Sequence, residues 1–136
     1  MKKVQTKLYL LLIVSSYLSG CAGNSQVIQS GTWGGQHIGM VVSDSSATLD
    51  YDCAHGSIAE PIMADDNGTF EVNGIYVIEK GGPIRLGDIP DKHPAVYYGT
   101  IRGKEMMMIV KLTDTDAVID TFSLTFEAEP IIHKCY

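Results

Sequence analysis

Past its first thirty residues the chain lacks any helical periodicity longer than a turn or two, which excludes a helical bundle and an alternating β/α architecture. It is also poor in basic residues, with 10 Lys and Arg against 16 Asp and Glu. Three of those bases, Lys2, Lys3 and Lys7, lie in the first twenty residues, so the remaining 116 carry 7 bases against 16 acids, a formal charge of −9. Nucleic-acid binding depends on neutralising phosphates with Lys and Arg, and adhesion to anionic lipid has the same need, so both are disfavoured. There is no Gly-rich phosphate loop, because Gly81-Gly82-Pro83 lacks both the spacing and the lysine. No serine or cysteine motif places a nucleophile beside a histidine, which leaves triad chemistry without support. Nothing calls for a cofactor, and the expected class is non-enzymatic.

What the front of the chain does contain is a basic stretch followed by Leu8-Tyr9-Leu10-Leu11-Leu12-Ile13-Val14. A spanning helix needs roughly 20 apolar residues, and Ser15, Ser16 and Ser19 dilute this run before that length, so it reads as an export signal. Leu18-Ser19-Gly20-Cys21-Ala22 resembles the lipobox of bacterial lipoproteins. That resemblance implies cleavage after Gly20, acylation of Cys21 and, with Ala22 rather than aspartate next, sorting to the outer membrane of a diderm host, facing the periplasm. The expected organisation is a signal over 1–20, a lipid-anchored flexible tether over 21–30 and one domain over 31–136.

With Cys21 acylated, Cys53 and Cys135 remain, and an even remainder in an oxidising compartment suggests a disulfide. It would close a loop of about 80 residues, for which chain entropy gives about 4 kcal/mol. Cys53-Ala54-His55 mirrors His133-Lys134-Cys135. If the two pieces pair antiparallel, His55 falls opposite His133, and Cys53, His55, His133 and Cys135 become an alternative zinc-type ligand set. Export weighs against the metal reading, since oxidised sulfurs offer no thiolates.

The body of the chain alternates apolar and polar residues between turn signals. Expected strands cover 32–42, 47–53, 57–63, 69–79 (with an irregularity at Gly74), 95–102, 105–112, 118–127 and a final piece at 131–135. Asp65-Asp66-Asn67-Gly68 suggests a type I′ hairpin, and residues 84–94, with Gly87, Pro90 and Pro94, a long surface loop. About eight short antiparallel strands most economically close into an up-and-down β-barrel, with a sandwich as the alternative. Gly31-Thr32-Trp33 resembles the glycine-x-tryptophan opening of lipocalin-like barrels. Residues 31–37, 52–56 and 79–83 resemble segments shared by small bacterial envelope lipoproteins of unassigned function, which implies a common fold and carries no catalytic residue.

Other candidate groups have ordinary structural explanations. Asp50, Asp52, Asp65 and Asp66, with Glu60 near, could hold Ca²⁺ or act as acid and base. Yet the first two alternate outward on a strand and the second two sit in a turn. His37 and His93 are single imidazoles, and Trp33, beside Gly34 and Gly35, would plug one barrel end. Met106, Met107 and Met108 with Tyr97 and Tyr98 suggest core or an adaptable apolar pocket. The expected function is that of a lipid-anchored binding module, for a small apolar ligand in its interior or an envelope protein through its loops. Tyr51-Asp52-Cys53 followed by Gly56 resembles small acidic, disulfide-bonded barrel lipoproteins that inhibit lysozyme, which implies an inhibitor of an envelope enzyme as the alternative.

Overall fold

A computed structural model describes residues 23–136. Ten strands occur among the described residues: β1 (Gln26–Val27), β2 (Gly31–Gly35), β3 (Ile38–Val42), β4 (Ala47–Tyr51), β5 (Ala54–Ile58), β6 (Met63–Ala64), β7 (Thr69–Ile78), β8 (Asp91–Arg102), β9 (Glu105–Leu112) and β10 (Val118–Phe126). Eight of them, β2 to β5 and β7 to β10, form a closed antiparallel ring in sequence order, with β7–β8 and β10–β2 completing the circuit. β1 and β6 pair outside the ring, Gln26 opposite Ala64 and Val27 opposite Met63. Closure removes the exposed edges that a flat sheet of such strands would leave.

Alternation sets the interior. On β4 Ala47, Leu49 and Tyr51 are buried while Thr48 and Asp50 face out, and on β9 Met106, Met108, Val110 and Leu112 share the inner face. One cluster of buried side chains fills the ring, with Trp33, Tyr97, Ile38, Met40, Ile58, Met108, Leu124 and Val110 almost wholly covered.

Because the ring strands alternate in direction, the chain enters at one end, here called the entry end. The β2–β3, β4–β5, β7–β8 and β9–β10 links gather at the other, the far end.

Several expectations on boundaries need correction. Residues 32–42 are two strands, not one, because the chain reverses at Gln36-His37, with His37 at φ 65°. Outside glycine a positive φ is uncommon, with Asn, Asp and His the usual exceptions, and Gln36-His37 carries none of the Gly or Asn signals that mark a turn in sequence. The strand expected over 57–63 starts earlier, at Ala54, and ends at Ile58, before Pro61. Asp65 to Gly68 do turn, yet only Gly68, at φ 77°, has positive φ, so the turn is not type I′, which needs two such residues. The Asp65 carboxylate accepts the amides of Asn67 and Thr69.

The long loop spans residues 79–90, not 84–94, since β8 begins at Asp91. Pro94 is tolerated in β8 because the β9 ladder starts only at Ala95. The expected tether over 21–30 is shortened from its C-terminal side. Beyond the β1 pairing, the Ile28 amide donates to Ile62 O, Ile28 is buried, and Trp33 Nε1 donates to Gln29 O. Signal residues 1–20 and Cys21 lie outside the described residues.

The largest correction concerns residues 131–135, which form no strand. After Phe126 the chain leaves the entry end and runs outside the barrel along β2, the Glu127 amide donating to Thr32 O and Ile131 forming a parallel bridge with Gln36. The reason is a bare patch on the outer wall. Gly34 lies opposite Gly39 across β2–β3, and a Cβ on Gly34 would strike the Ala128 carbonyl, while one on Gly39 would come within 2.9 Å of the Pro130 ring. Two facing glycines thus make a trough in which this C-terminal strap rests. Filling it overpacks a site with no room to yield, so Gly39→Val should lower unfolding free energy by roughly 1–3 kcal/mol in urea denaturation. A neutral result would mean that the strap does not bear on Gly39.

Candidate functional site

The barrel interior is the first place to look for a ligand, and it is occupied by the protein's own side chains. Tyr97 crosses it and donates to Ile75 O at 2.7 Å, its ring packed where Gly56 and Gly74 leave space. Tyr51 stacks at 5.3 Å from both Tyr76 and Phe122. Burial pushes the hydroxyls of Tyr51 and Tyr97 far above the ordinary tyrosine range, so both stay protonated. The Tyr51 hydroxyl is buried near that of Tyr97, whose proton goes to Ile75 O, and meets no partner in good hydrogen-bond geometry among the described residues. An unmet buried hydroxyl costs on the order of 1–3 kcal/mol, so Tyr51→Phe should raise stability by about 1 kcal/mol. A loss of stability instead would reveal an interior partner for that hydroxyl.

Met106 and Met108 belong to the same core, whereas Met107 faces outward and Tyr98 is partly covered; the methionines and tyrosines do not line an open pocket. At the entry end an open recess of about 470 Å³ lies between residues 24–29, Asp65-Asp66 and Ile101, with Trp33 at its base. Trp33 is fully buried and packs at 5.1 Å from Phe126, closing the core beneath that recess.

The chemistry-bearing residues gather instead at the far end, where the strap arrives. Cys53 and Cys135 have their sulfurs at bonding distance, with Cα atoms 5.2 Å apart. The expected approach of His55 to His133 does not occur, because the strap does not pair as a strand with residues 53–55. His55 Nδ1 bonds Glu79 at 2.9 Å, while His133 lies beside His37, ring centroids 6.3 Å apart. The four-residue set Cys53, His55, His133 and Cys135 is therefore not assembled. Among the described residues no three of His, Cys, Asp and Glu converge in a metal-holding arrangement.

Asp52, expected to be a solvated strand residue, ties these pieces together. Its Oδ2 accepts from His37 Nδ1 at 2.6 Å, its Oδ1 from the His133 amide at 2.8 Å, and its carbonyl from the Cys135 amide at 3.1 Å. The His133 amide, then the His37 ring, hold its carboxyl below the usual carboxylate range. Next to it Lys134 donates to Asp50, to Tyr51 O at 2.9 Å and to Glu79 at 3.2 Å. The other carboxylates stay apart: Asp65 serves its turn, and Glu60 accepts the Asn73 amide.

Across the far end stands the loop 79–90, with a histidine and a carboxylate at each foot. One foot is Glu79, held by His55 and Lys134, its amide donating to Cys53 O. The other is His93, whose Nδ1 meets Asp114 at 2.7 Å and whose Nε2 meets Asp91 at 2.9 Å. A neutral imidazole donates from one nitrogen only, so two carboxylates favour the doubly protonated ring. Between the feet the Arg85 amide bonds the Asp88 carboxylate and the Asp88 amide closes a turn on Arg85 O, with Gly87 at φ 95°. That turn holds Leu86 out at its tip. Ile84, Leu86 and Ile89 are 93, 109 and 87% exposed, the most exposed aliphatic side chains described. Sequence pattern located this loop but gave no reason to single out its three apolar residues, since nothing local says that they find no core.

The Asp114 bond raises the His93 pKa above its ordinary 6.5, and the same bond lowers Asp114 below its ordinary 3.8. A raised histidine contributes stability that is complete below about pH 6.5 and is lost as pH rises through its folded value. A lowered aspartate contributes above about pH 4 and loses it as pH falls through its folded value. The melting-temperature difference between the parent chain and His93→Gln should therefore peak between those limits and shrink above neutrality; a gap that widens at alkaline pH would contradict this.

Comparison with family models, curated proteins and solved structures finds no match for this chain.

Proposed function

We propose that the protein is a non-enzymatic, lipid-anchored envelope module that holds out its far-end loop to a protein partner. The observation that carries this reading is the trio Ile84, Leu86 and Ile89, solvent-exposed on a turn-closed loop. Large apolar side chains clustered in this way mark interaction surfaces, since burying each one contributes about 1.5–3 kcal/mol. Polarity of placement supports it too. The chain enters the barrel at the opposite end, so an anchor on its N-terminal side would leave the loop free, facing the periplasm. The filled interior lends less support to a small apolar ligand inside the barrel than to a partner outside it.

The anchor itself is tested by Cys21→Ser, which should move the protein from the membrane to the soluble fraction. For the loop, a photo-crosslinking residue in place of Leu86 should give a discrete protein adduct in intact cells, whereas one in place of Val41, exposed on the barrel wall, should not. Replacing Ile84, Leu86 and Ile89 by serine should weaken binding of that partner by on the order of 100-fold or more without changing the melting temperature, because these side chains touch no core. Equal adducts from positions 86 and 41, or unchanged binding by the serine variant, would refute the proposal.

A second reading, an inhibitor of a basic envelope enzyme such as lysozyme, draws on the surplus of 16 acids over 7 bases after residue 20. It predicts slowed lysozyme activity at low salt, relieved by added salt; no slowing at low salt would eliminate it.

A further inference from the structure

His37 and His133 form a pair that the loop reading does not use. We propose that these two imidazoles, arranged by Asp52, make an open two-histidine site for a late first-row divalent cation, Zn²⁺ or Cu²⁺, on the far-end surface.

Three features of the pair point to a ligand. Their ring centroids stand 6.3 Å apart. With metal–nitrogen bonds of 2.0–2.1 Å, two imidazoles on one ion have centroids about 5 to 6.4 Å apart, depending on the angle, and the observed separation lies at the upper end of that span. Asp52 also binds His37 through Nδ1, which leaves Nε2 as the free lone pair. A carboxylate behind a histidine in this way fixes the tautomer and the ring orientation. The same carboxylate takes the His133 amide, so one group positions both residues, and the Cys53–Cys135 link ties the two segments together beside it.

The third feature is strain. His37 occupies the left-handed region at φ 65°, in a hairpin where glycine would fit without penalty. A side chain costs about 1–2 kcal/mol there. Its ring covers no core, being 57% exposed, so packing does not account for a histidine at this position. The His133 ring is likewise exposed and makes no side-chain hydrogen bond among the described residues. Nitrogen-only donors suit Cu²⁺ and Zn²⁺ rather than Ca²⁺ or Mg²⁺, and water completes the coordination.

Separating a ligand from a structural histidine calls for variants that keep the fold. His37→Gly relieves the strained backbone and His133→Ala retains the amide that Asp52 binds. Calorimetric titration of the chain with Zn²⁺ should show one equivalent bound, and either variant should weaken it at least tenfold while still unfolding in a single cooperative transition. His55→Gln and His93→Gln should bind as the parent does. Cu²⁺ should give an electron-paramagnetic-resonance signal with nitrogen splitting that simplifies in either His37→Gly or His133→Ala. Absence of saturable Zn²⁺ binding, or binding untouched by either substitution, would overturn the assignment.

Discussion

The barrel depends on a seam that its own strands barely close. β7 and β8 pair along their whole shared length, from Thr69 opposite Thr100 to Ile78 opposite Asp91, but β10 meets β2 only through Thr125–Gly34 and Phe126–Trp33. β2 is five residues long, and a short first strand cannot supply a full ladder to a nine-residue last one. What completes the closure is the strap. It leaves β10, lays its backbone over Gly34 and the Pro130 ring over Gly39, bonds Gly35 O and the His37 amide through Ile131, and ends at Cys53 through Cys135. First and last strands are thereby fastened by a segment lying outside the sheet.

Order at the far end follows from that fastening. The strap brings Lys134 to Asp50 and Glu79, and Glu79 is one foot of the loop that carries Ile84, Leu86 and Ile89. It also brings His133 to Asp52 and His37. Covalent closure of an 82-residue separation is worth about 4 kcal/mol in the chain-entropy picture, large beside a small domain's total of roughly 5–15. The proposed partner surface and the proposed cation site thus share one mechanical support.

The barrel was legible because period-two burial is a local property. Leu49 and Tyr51 on β4, and Met106, Met108 and Val110 on β9, announce their inner face in the sequence. Less legible was anything that depends on register between distant strands. Ile131 to Cys135 reads as a short final strand, and nothing local reveals that two glycines facing each other across β2–β3 leave a trough to receive it. The hairpin at Gln36-His37 was hidden because a histidine holds the positive φ that Gly or Asn ordinarily signals. Pairing His133 with His55 followed from treating the strap as a strand; its actual path sets His133 beside His37.

Native-state hydrogen exchange on the parent chain and on Cys135→Ser measures the support directly. If the strap closes the seam, freeing it should strip protection from the β2–β3 amides and from residues 52 to 55, while β7, β8 and β9 keep theirs. Protection lost evenly around the ring, or unchanged everywhere, would contradict a barrel bolted at its seam from outside.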